Sequence, residues 1–514
     1  MAAERTSPGK SAEAVVVGAG LGGLGAALEL AKSGVKVLVL EQHNLPGGFA
    51  TSFVRGRFEF ELSLHQMPGT LSLPGASGVR EYLLDEAGLE LEVAEVNEAY
   101  RLVLTEDSLD VRVPFGIEAV ADLVDREVPG SRRITADYLD LCREMLATLR
   151  YLEQHREGLS PRVLLSRYRN FINTGARTVT EVSDALALPP RVRDILYPYW
   201  CFLGVPAGRL SFHIWAALLY TYLSAGAFVP RGRSHALSAA LVKRIEELGG
   251  RVKQNVRVAG IAARQGAVRE VLTAAGERIS TGRVICNLSP HQVFNSLVSP
   301  EAAVPKKARR LLSARRLGFS AFVVYLGLNK AHHELGLHDY SYFISPHMDT
   351  DRIYDSTARL ESPLMQASVC LNSAVPDCSP PGTTILSMTA CFQPQVWEQV
   401  SPGQYTAAKR EIARGMITQF ENALRVKLRD YIEEIEIATP QTFQRYTGAW
   451  RGVIYGYEAE PWDSLVPRAL YLEKERFIGG LDFCGGFSSR CHGYGSSLLS
   501  GRAAARRALG EMQR

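Results

Sequence analysis

A glycine-rich turn between a short apolar strand and an Ala-rich helix constrains this chain more than any other feature. Residues 14–17 (AVVV) predict a buried strand that leads directly into the motif GAGLGG at residues 18–23. An apolar segment as far as Lys32 then predicts a helix, and the apolar run 35–40 predicts a second strand, which is followed by Glu41. Strand, turn, helix and strand in this order predict a βαβ unit.

Each glycine of the motif has a separate physical role in such a unit. Gly18 permits the tight turn, Gly20 lets the backbone approach a pyrophosphate, and Gly23 lets the helix pack against the strand. The N-terminus of the helix adds free N–H groups and the positive end of the helix dipole. Glu41, about 20 residues downstream, is placed to accept hydrogen bonds from a ribose diol. The sequence therefore predicts a dinucleotide site, and a glycine-rich turn without a ligand is the less favoured alternative.

A second pair of glycines, Gly47-Gly48, follows Glu41 closely, and small residues including Thr51 come next. A nicotinamide-binding unit normally continues into ordinary strand and helix at this point. Adjacent glycines and a small hydroxyl residue instead suit further contact between the backbone and a diphosphate. The second pair therefore argues against a nicotinamide dinucleotide.

The stretch EQHNLPGGFATSFVRGRFEFELSLHQM, residues 41–67, resembles the FAD-binding fingerprint of one flavoprotein superfamily. That superfamily contains amine oxidases, phytoene desaturases and Rab GDP-dissociation inhibitors. The stretch is most similar to the branch of all-trans-retinol saturases and carotenoid cis-trans isomerases, in which the acid, the glycine pair and a phenylalanine–acid–histidine element occur in the same order. Many superfamily members have Arg after the glycine pair, where this chain has Phe49, and the saturase-like branch also lacks that Arg.

The resemblance implies an α/β fold with a discontinuous, Rossmann-type FAD-binding domain of the GR2 type and an α+β substrate domain, as in the amine oxidase and phytoene desaturase superfamily. The FAD is expected to be bound non-covalently. We expect the FAD-binding domain in residues 1–70, 226–295 and 475–514 and the substrate domain in residues 71–225 and 296–474. The length agrees, because 514 residues exceed what one compact domain usually holds.

The resemblance also implies cofactor contacts outside the first unit. In relatives a strand beside the adenine makes a backbone contact that falls on Val258 here, within a strand predicted over residues 251–261. A glycine-rich loop near the C-terminus normally carries a Gly-Asp pair, which falls on Gly485-Gly486. The acid that usually binds the ribityl chain is thus absent at Gly486. Whether Asp482, four residues earlier, replaces it stays open at this stage.

Three residues are candidates for acid–base chemistry beside the flavin. His65 matches a histidine of the saturase branch, and Glu61 matches its neighbouring acid. His492 lies in the C-terminal loop. A histidine can deliver or remove a proton near neutral pH. The alternative for each histidine is a structural hydrogen bond, and Glu61 could equally face solvent, because it alternates with apolar residues.

Composition excludes several other classes of function. A net charge of +4 is small for this length and does not indicate a nucleic-acid partner. None of the eight cysteines forms a CxxC pair or stands at metal-ligand spacing from a histidine. No metal is therefore predicted, and reduced thiols of a cytoplasmic protein are expected. The polar N-terminal segment has no apolar region of the kind found in a secretory signal.

The longest uncharged stretch is LSFHIWAALLYTYLSAGAFVP, residues 210–230. Its length is near the ~20 residues of a membrane span. It nevertheless contains polar residues, among them His213 and Thr221, and has no clean apolar centre. We expect a buried helix. A helix that lines an apolar tunnel, one that dips into a membrane leaflet and gives peripheral membrane contact, and a transmembrane helix are the alternatives.

The resemblance implies an FAD-dependent oxidoreductase that acts on C=C bonds of a long hydrophobic polyene, isoprenoid or acyl chain. Saturation, desaturation and cis-trans isomerisation all remain open, as does the oligomeric state. An amine oxidase-type flavoenzyme is one alternative, and a non-catalytic prenyl-binding protein of the GDP-dissociation inhibitor type is another. The complete glycine set and Glu41 favour a working cofactor and hence an enzyme.

Overall fold

The structure is a computed structural model that describes residues 10–69, 78–155, 160–464, 466–468, 476–488 and 492–513. The polar N-terminal segment therefore lies largely outside the described residues. Cys491, one of the eight cysteines expected to be reduced thiols, lies outside them entirely. In chain order the strands are β1 (Lys10–Ser11), β2 (Ala14–Val17), β3 (Val37–Leu40), β4 (Ser52–Arg55), β5 (Phe58–Glu61), β6 (Met67–Pro68), β7 (Val93–Val96), β8 (Tyr100–Leu104), β9 (Leu109–Val113), β10 (Ala227–Pro230), β11 (Arg251–Lys253), β12 (Val258–Arg264), β13 (Ala267–Thr273), β14 (Arg278–Ser280), β15 (Val284–Cys286), β16 (Val298–Ser299), β17 (Ser320–Leu328), β18 (Ser341–Ser345), β19 (Gln366–Cys370), β20 (Thr384–Phe392), β21 (Ile432–Ala438) and β22 (Leu481–Phe483).

The helices of the same residues are distributed along the whole chain, and several of the short ones continue into single 3₁₀ or π turns. In chain order they are α1 (Leu21–Lys32), α2 (Val79–Glu81), α3 (Ile117–Glu127), α4 (Arg132–Gln154), α5 (Pro161–Arg167), α6 (Arg169–Thr174), α7 (Val179–Ala185), α8 (Pro190–Leu196), α9 (Phe212–Ala225), α10 (Arg233–Glu247), α11 (Pro290–Gln292), α12 (Lys306–Ala314), α13 (Thr350–Ser356), α14 (Pro394–Glu398), α15 (Pro402–Leu424), α16 (Pro440–Thr447) and α17 (Tyr494–Met512).

The βαβ unit predicted from the glycine motif is present. β2 and β3 pair in parallel, and α1 between them ends at Lys32, as expected. β3 begins at Val37 rather than at Val35. The reason is that the Val35 N–H donates to the Leu30 carbonyl across Gly34, which has a φ of +80°, so Val35 still closes the helix.

Five parallel strands form the sheet that carries this unit, in the order β11-β3-β2-β15-β22. Its strands come from three separate parts of the chain, which confirms the discontinuous Rossmann-type architecture. The carboxyl ends of parallel strands meet at one edge, where such sheets bind ligands. The boundaries given above for the two domains stay a prediction.

The strand predicted over residues 251–261 is in fact two strands in two sheets. β11 extends the parallel sheet beside β3, whereas β12 pairs antiparallel with β13 in a second sheet. Asn255, between them, has a φ of +58°, and its N–H donates to the His43 carbonyl. This left-handed residue ends the first strand and redirects the chain, which an alternating apolar pattern does not reveal.

The uncharged stretch 210–230 is not a single helix. α9 covers Phe212–Ala225 and ends at Gly226, whose φ is +69°, and β10 follows and pairs with β6 and β7. Trp215 and Leu219 are fully buried, as a core helix requires. Among the described helices, none combines the length and the apolar character that crossing a membrane requires.

A seven-stranded sheet has the order β21-β17-β20-β19-β18-β8-β9. It contains the three strands that apolar runs predict at residues 321–328, 368–371 and 384–392. On β17, Phe322 and Val324 point into a core shared with Met416 of α15, and the alternate residues, such as Val323, face a large cavity. The sequence predicts one long helix over about residues 404–431, but α15 ends at Leu424, because Arg425 adopts a left-handed φ of +56°.

The C-terminal helix α17 packs so closely on α1 that a glycine is required at the contact. A Cβ on Gly501 would overlap the carbonyl oxygen of Gly22. Gly510, on the same helix, has open space where its Cβ would be.

We expect Gly501→Ala to lower the free energy of unfolding by about 1–3 kcal/mol through overpacking. The matched Gly510→Ala should raise it slightly through helix propensity. Thermal unfolding of the two variants checks this, and equal midpoints would contradict it.

Candidate functional site

A cavity of about 1400 Å³ lies between the carboxyl edge of the parallel sheet and the cavity-facing side of the seven-stranded sheet. Most of the residues singled out from the sequence line it: Gly18, Gly20, Glu41, Gly47, Gly48, Thr51, His65, Val258, Gly486 and His492. Gly23, Glu61 and Gly485 stand behind this wall. The cavity thus brings together residues from three distant parts of the chain.

The first glycine loop presents bare backbone to the cavity. Gly18 has a φ of +92°, a conformation that favours glycine. A Cβ on Gly20 would overlap the side-chain amide of Asn287, and one on Gly23 would overlap the carbonyl oxygen of Gly18. Gly18 thus supplies a turn that favours glycine, Gly23 a close contact within the turn, and Gly20 a close approach to Asn287, while phosphate binding by this loop stays a prediction.

The second glycine pair lies directly against the first loop. The Gly47 N–H donates to the Ala19 carbonyl at 2.8 Å, and Gly47 and Gly48 have φ values of +109° and +61°. Glu41 joins the two loops, because its Oε2 accepts from the Ala19 N–H at 2.7 Å and its Oε1 from the His43 N–H at 2.8 Å. Two backbone donors therefore fix the carboxylate at the cavity wall.

The C-terminal loop closes the same end of the cavity. The Gly485 N–H donates to Ser500 Oγ at 2.8 Å, and Gly486 contributes backbone to the cavity wall. Asp482 lies on β22 with its carboxylate buried beside Arg476, with Oδ1 3.2 Å from Nε. It is not among the lining residues. Asp482 therefore pairs with Arg476 outside the cavity lining.

Asn287 is a site residue that sequence reasoning missed. It follows β15 directly, and its side chain lines the cavity between Gly20, Gly22 and Gly485, where a Cβ on any of the three would overlap or crowd it. A polar residue at the carboxyl end of a parallel strand next to β2 is a usable signal. Asn287 could be recognised in this way only once β15 was known to lie beside β2, and the sequence alone does not give the strand order.

His65 stands on the cavity wall among aromatic rings. Its Nε2 is 2.6 Å from Ser341 Oγ, and its ring is nearly parallel to Phe343, with centroids 5.6 Å apart. The ring of Phe202 packs against it edge-on. Burial lowers the pKa of His65 to about 3, so its imidazole is neutral at physiological pH.

Glu61 is placed behind His65 rather than in the cavity. Its Oε2 accepts from the Ser234 N–H at 2.8 Å, and its Oε1 accepts from Ser234 Oγ at 2.7 Å and from the Leu64 N–H at 3.2 Å. Burial raises the pKa of Glu61, which these hydrogen bonds partly oppose. The carboxyl group thus ties the turn that precedes His65 to the start of α10.

His492 also lines the cavity and, like His65, contacts Phe202. Its Nε2–H donates to the Phe202 carbonyl at 2.7 Å, and its ring stacks on Tyr455 with centroids 4.0 Å apart. Burial lowers the pKa of His492 to about 4, so this ring is also neutral. The aromatic residues around the two histidines were not anticipated, since a run such as YWCF at residues 199–202 reads equally well as ordinary core.

The described residues contain no group of three or more His, Cys, Asp or Glu side chains arranged to hold a metal ion. They do fit a dinucleotide. Gly20, Gly47 and Gly48 expose only backbone to the cavity, Glu41 offers a fixed carboxylate, and Asn287 adds a side-chain amide. Donors for a pyrophosphate and an acceptor for a ribose thus stand at one end of the cavity.

We expect Glu41→Ala to weaken FAD binding by about 1–3 kcal/mol, because charge-assisted hydrogen bonds to the ribose are lost. Titration of the apoprotein with FAD, followed by flavin fluorescence, measures the change. Glu13→Ala is a matched control, since Glu13 also accepts a backbone N–H, from Lys36 at 2.6 Å, but lies outside the cavity lining. Equal affinities in both variants would show that Glu41 does not hold the ribose.

Two solved structures share this architecture. An oxidoreductase from Methanosarcina mazei superposes with a TM-score of 0.61 at 14% identity and covers 97% of this chain and 99% of its own. Cyclohexylamine oxidase from Brevibacterium oxydans superposes with a TM-score of 0.62 at 14% identity and covers 98% and 100%. At such identities the likeness shows the fold alone.

Sequence relatives complete the comparison. All-trans-retinol 13,14-reductase of Danio rerio is 26% identical over 473 residues, which cover 86% of this chain and 77% of the relative. Phytoene desaturase (lycopene-forming) of Pantoea ananas is 28% identical over 345 residues, 63% of this chain and 65% of its own. The profile of the family described as flavin containing amine oxidoreductase matches residues 21–509. The chain therefore belongs to the flavin-containing amine oxidoreductase family and is an FAD-dependent oxidoreductase.

Proposed function

We propose that this FAD-dependent oxidoreductase acts on carbon–carbon double bonds of a long hydrophobic polyene, isoprenoid or acyl chain. The observation that carries the proposal is the lining of the cavity beyond the glycine loops. Small and aliphatic side chains cover the sheet side, such as Ala321 and Val323, and aromatic rings such as Trp200 and Phe202 cover the helical side. A retinol reductase and a phytoene desaturase among the relatives support the same substrate class.

The energetics of such a lining favour an apolar chain. Burial of each CH₂ group is worth about 0.8 kcal/mol, so a long hydrocarbon gains affinity along its whole length. A small amine would leave most of this surface without a partner. The same substrate class partitions into lipid, and the seven described cysteines are free thiols. We therefore also propose a cytoplasmic protein with peripheral membrane contact.

The residues of this chain have distinct parts in the reaction. Gly20, Gly47, Gly48, Glu41 and Asn287 would hold the FAD. When bound, the flavin supplies two-electron transfer to or from carbon. If both electrons return to the same molecule, the net result is isomerisation, and otherwise it is saturation or desaturation. The apolar wall orients the chain and excludes water.

His65 and Ser341 form a proton relay in this proposal. The imidazole is neutral, and one of its nitrogens is hydrogen-bonded to the Ser341 hydroxyl. A neutral imidazole can accept a proton at one nitrogen while it gives one up at the other, so no net charge remains in the apolar cavity. Glu61 acts here as a positioning residue, because it holds the turn that carries His65.

Purified, FAD-loaded protein should change the absorption spectrum of a carotenoid, a retinoid or an unsaturated acyl substrate. The assay is run under anaerobic conditions with the flavin oxidised and with it reduced, which separates desaturation, saturation and isomerisation. Flavin reduction by an amine with no change in any polyene would overturn the proposal in favour of amine oxidation. Tight polyene binding without any chemical change would favour a prenyl-binding protein.

His65→Ala should lower turnover by about 100-fold, as for the loss of a general acid–base group, while the flavin spectrum stays intact. His333→Ala, at an exposed position outside the cavity lining, is the matched control and should retain full activity. Because the pKa of His65 is about 3, wild-type turnover should show no step from this group between about pH 5 and pH 8. Full activity of the His65 variant would refute the relay.

A further inference from the structure

One lysine in the cavity wall has no partner. Lys409, on α15, is half-buried and lines the cavity. Among the described residues, no carboxylate lies within ion-pair distance of its ammonium group, and no hydrogen bond from it is formed. Arg55, by contrast, lines the same cavity and is paired with Glu436 at 2.9 Å.

The position of Lys409 follows from the packing of α15 on the seven-stranded sheet. Ile412 and Met416 of α15 pack against the face of the seven-stranded sheet that is turned away from the cavity. Lys409 therefore reaches the cavity past the ends of the strands, where β20 stops at Phe392 and Leu364 precedes β19. It stands at the rim of the cavity on the side of the seven-stranded sheet.

Two further cations of the cavity wall, Arg257 and Arg445, belong to the cofactor end. Arg257 lies between Val256 and Val258, in the segment expected beside the adenine. Arg445 lies over the ring of Tyr446, which contacts His43 two residues after Glu41. In the described lining, Lys409 is thus the cation that faces the substrate end without a partner.

The polar groups near Lys409 on the same rim are already engaged. The Tyr405 hydroxyl is 2.6 Å from Thr439 Oγ1, and the Gln441 side-chain amide donates to the Trp397 carbonyl at 2.5 Å. The remaining neighbours on this wall, Leu364 and Phe392, are apolar. Lys409 thus lines this apolar wall without a counter-ion, and a carboxylate on a ligand would supply one.

From this arrangement we propose that the substrate is an apolar chain that ends in a carboxylate, and that Lys409 binds this carboxylate at the rim. A single ammonium group matches one negative charge, whereas a diphosphate would call for several cations or a metal. The inference rests on the proposed function and deepens it. It adds a polar anchor that would set which end of the chain enters first and hence which double bond is held near the flavin.

The test compares two ligands with the same hydrocarbon skeleton, all-trans-retinoic acid and all-trans-retinol. Their dissociation constants are measured on FAD-loaded protein by quenching of tryptophan fluorescence, since Trp200 lines the cavity. We expect the wild-type protein to bind the acid about tenfold more tightly than the alcohol, the effect of one charge-assisted hydrogen bond. The preference should shrink at high salt.

Lys409→Gln should bind both ligands equally, and Lys409→Arg should keep the preference for the acid. Lys307→Gln, on the exposed side of α12, is the matched control and should behave as wild type. FAD content and thermal unfolding of each variant show that it is folded. An acid-to-alcohol ratio that stays the same in Lys409→Gln, or a wild-type protein that binds both ligands equally, overturns the inference and leaves the proposed function standing. Failure of the wild-type protein to bind either ligand overturns both.

Discussion

Contact between glycine backbones is the constraint on which the rest of the structure depends. Gly20 and Gly47 approach each other as neighbouring strands do, and a Cβ on Gly22 would crowd the backbone of Gly485. Gly501 of the C-terminal helix meets the same turn of α1. Three loops from distant parts of the chain can therefore converge on one helix N-terminus only because side chains are absent there. The convergence leaves the N-terminal backbone of α1 uncovered by side chains at the cavity, which is what a diphosphate needs.

The seven-stranded sheet provides the complementary wall, and its two faces differ because the side chains of a strand alternate. Phe322 and Val324 pack on α15, while Ala321 and Val323 of the same strand leave room for a ligand. One element thus supplies both the stability of the substrate region and the shape of its cavity. An apolar wall of this kind also explains why the two cavity histidines are neutral, since burial disfavours the charged imidazole.

Much of the cofactor end followed from local sequence. The glycine motif, the acid that follows β3 and the second glycine pair lie close together in the sequence, and the two glycine elements have backbone requirements that few residues other than glycine meet. The strands of the substrate region were also recognisable, and β20 spans the residues predicted for it. Boundaries failed where a single left-handed residue decided them, as at Asn255 and Arg425, because hydrophobic periodicity carries no information about φ.

The sequence by itself determined the βαβ unit, the class of cofactor and the two-part plan of the chain, because these depend on residues that are close together and on backbone freedom. Only the tertiary structure decided which polar groups meet. It placed Asn287 between the first glycine loop and the C-terminal glycine loop, turned Asp482 toward Arg476, moved Glu61 behind His65 and left Lys409 alone at the rim. Each of these outcomes depends on strand order and on which face of an element is buried, and both arise from contacts between residues far apart in the chain.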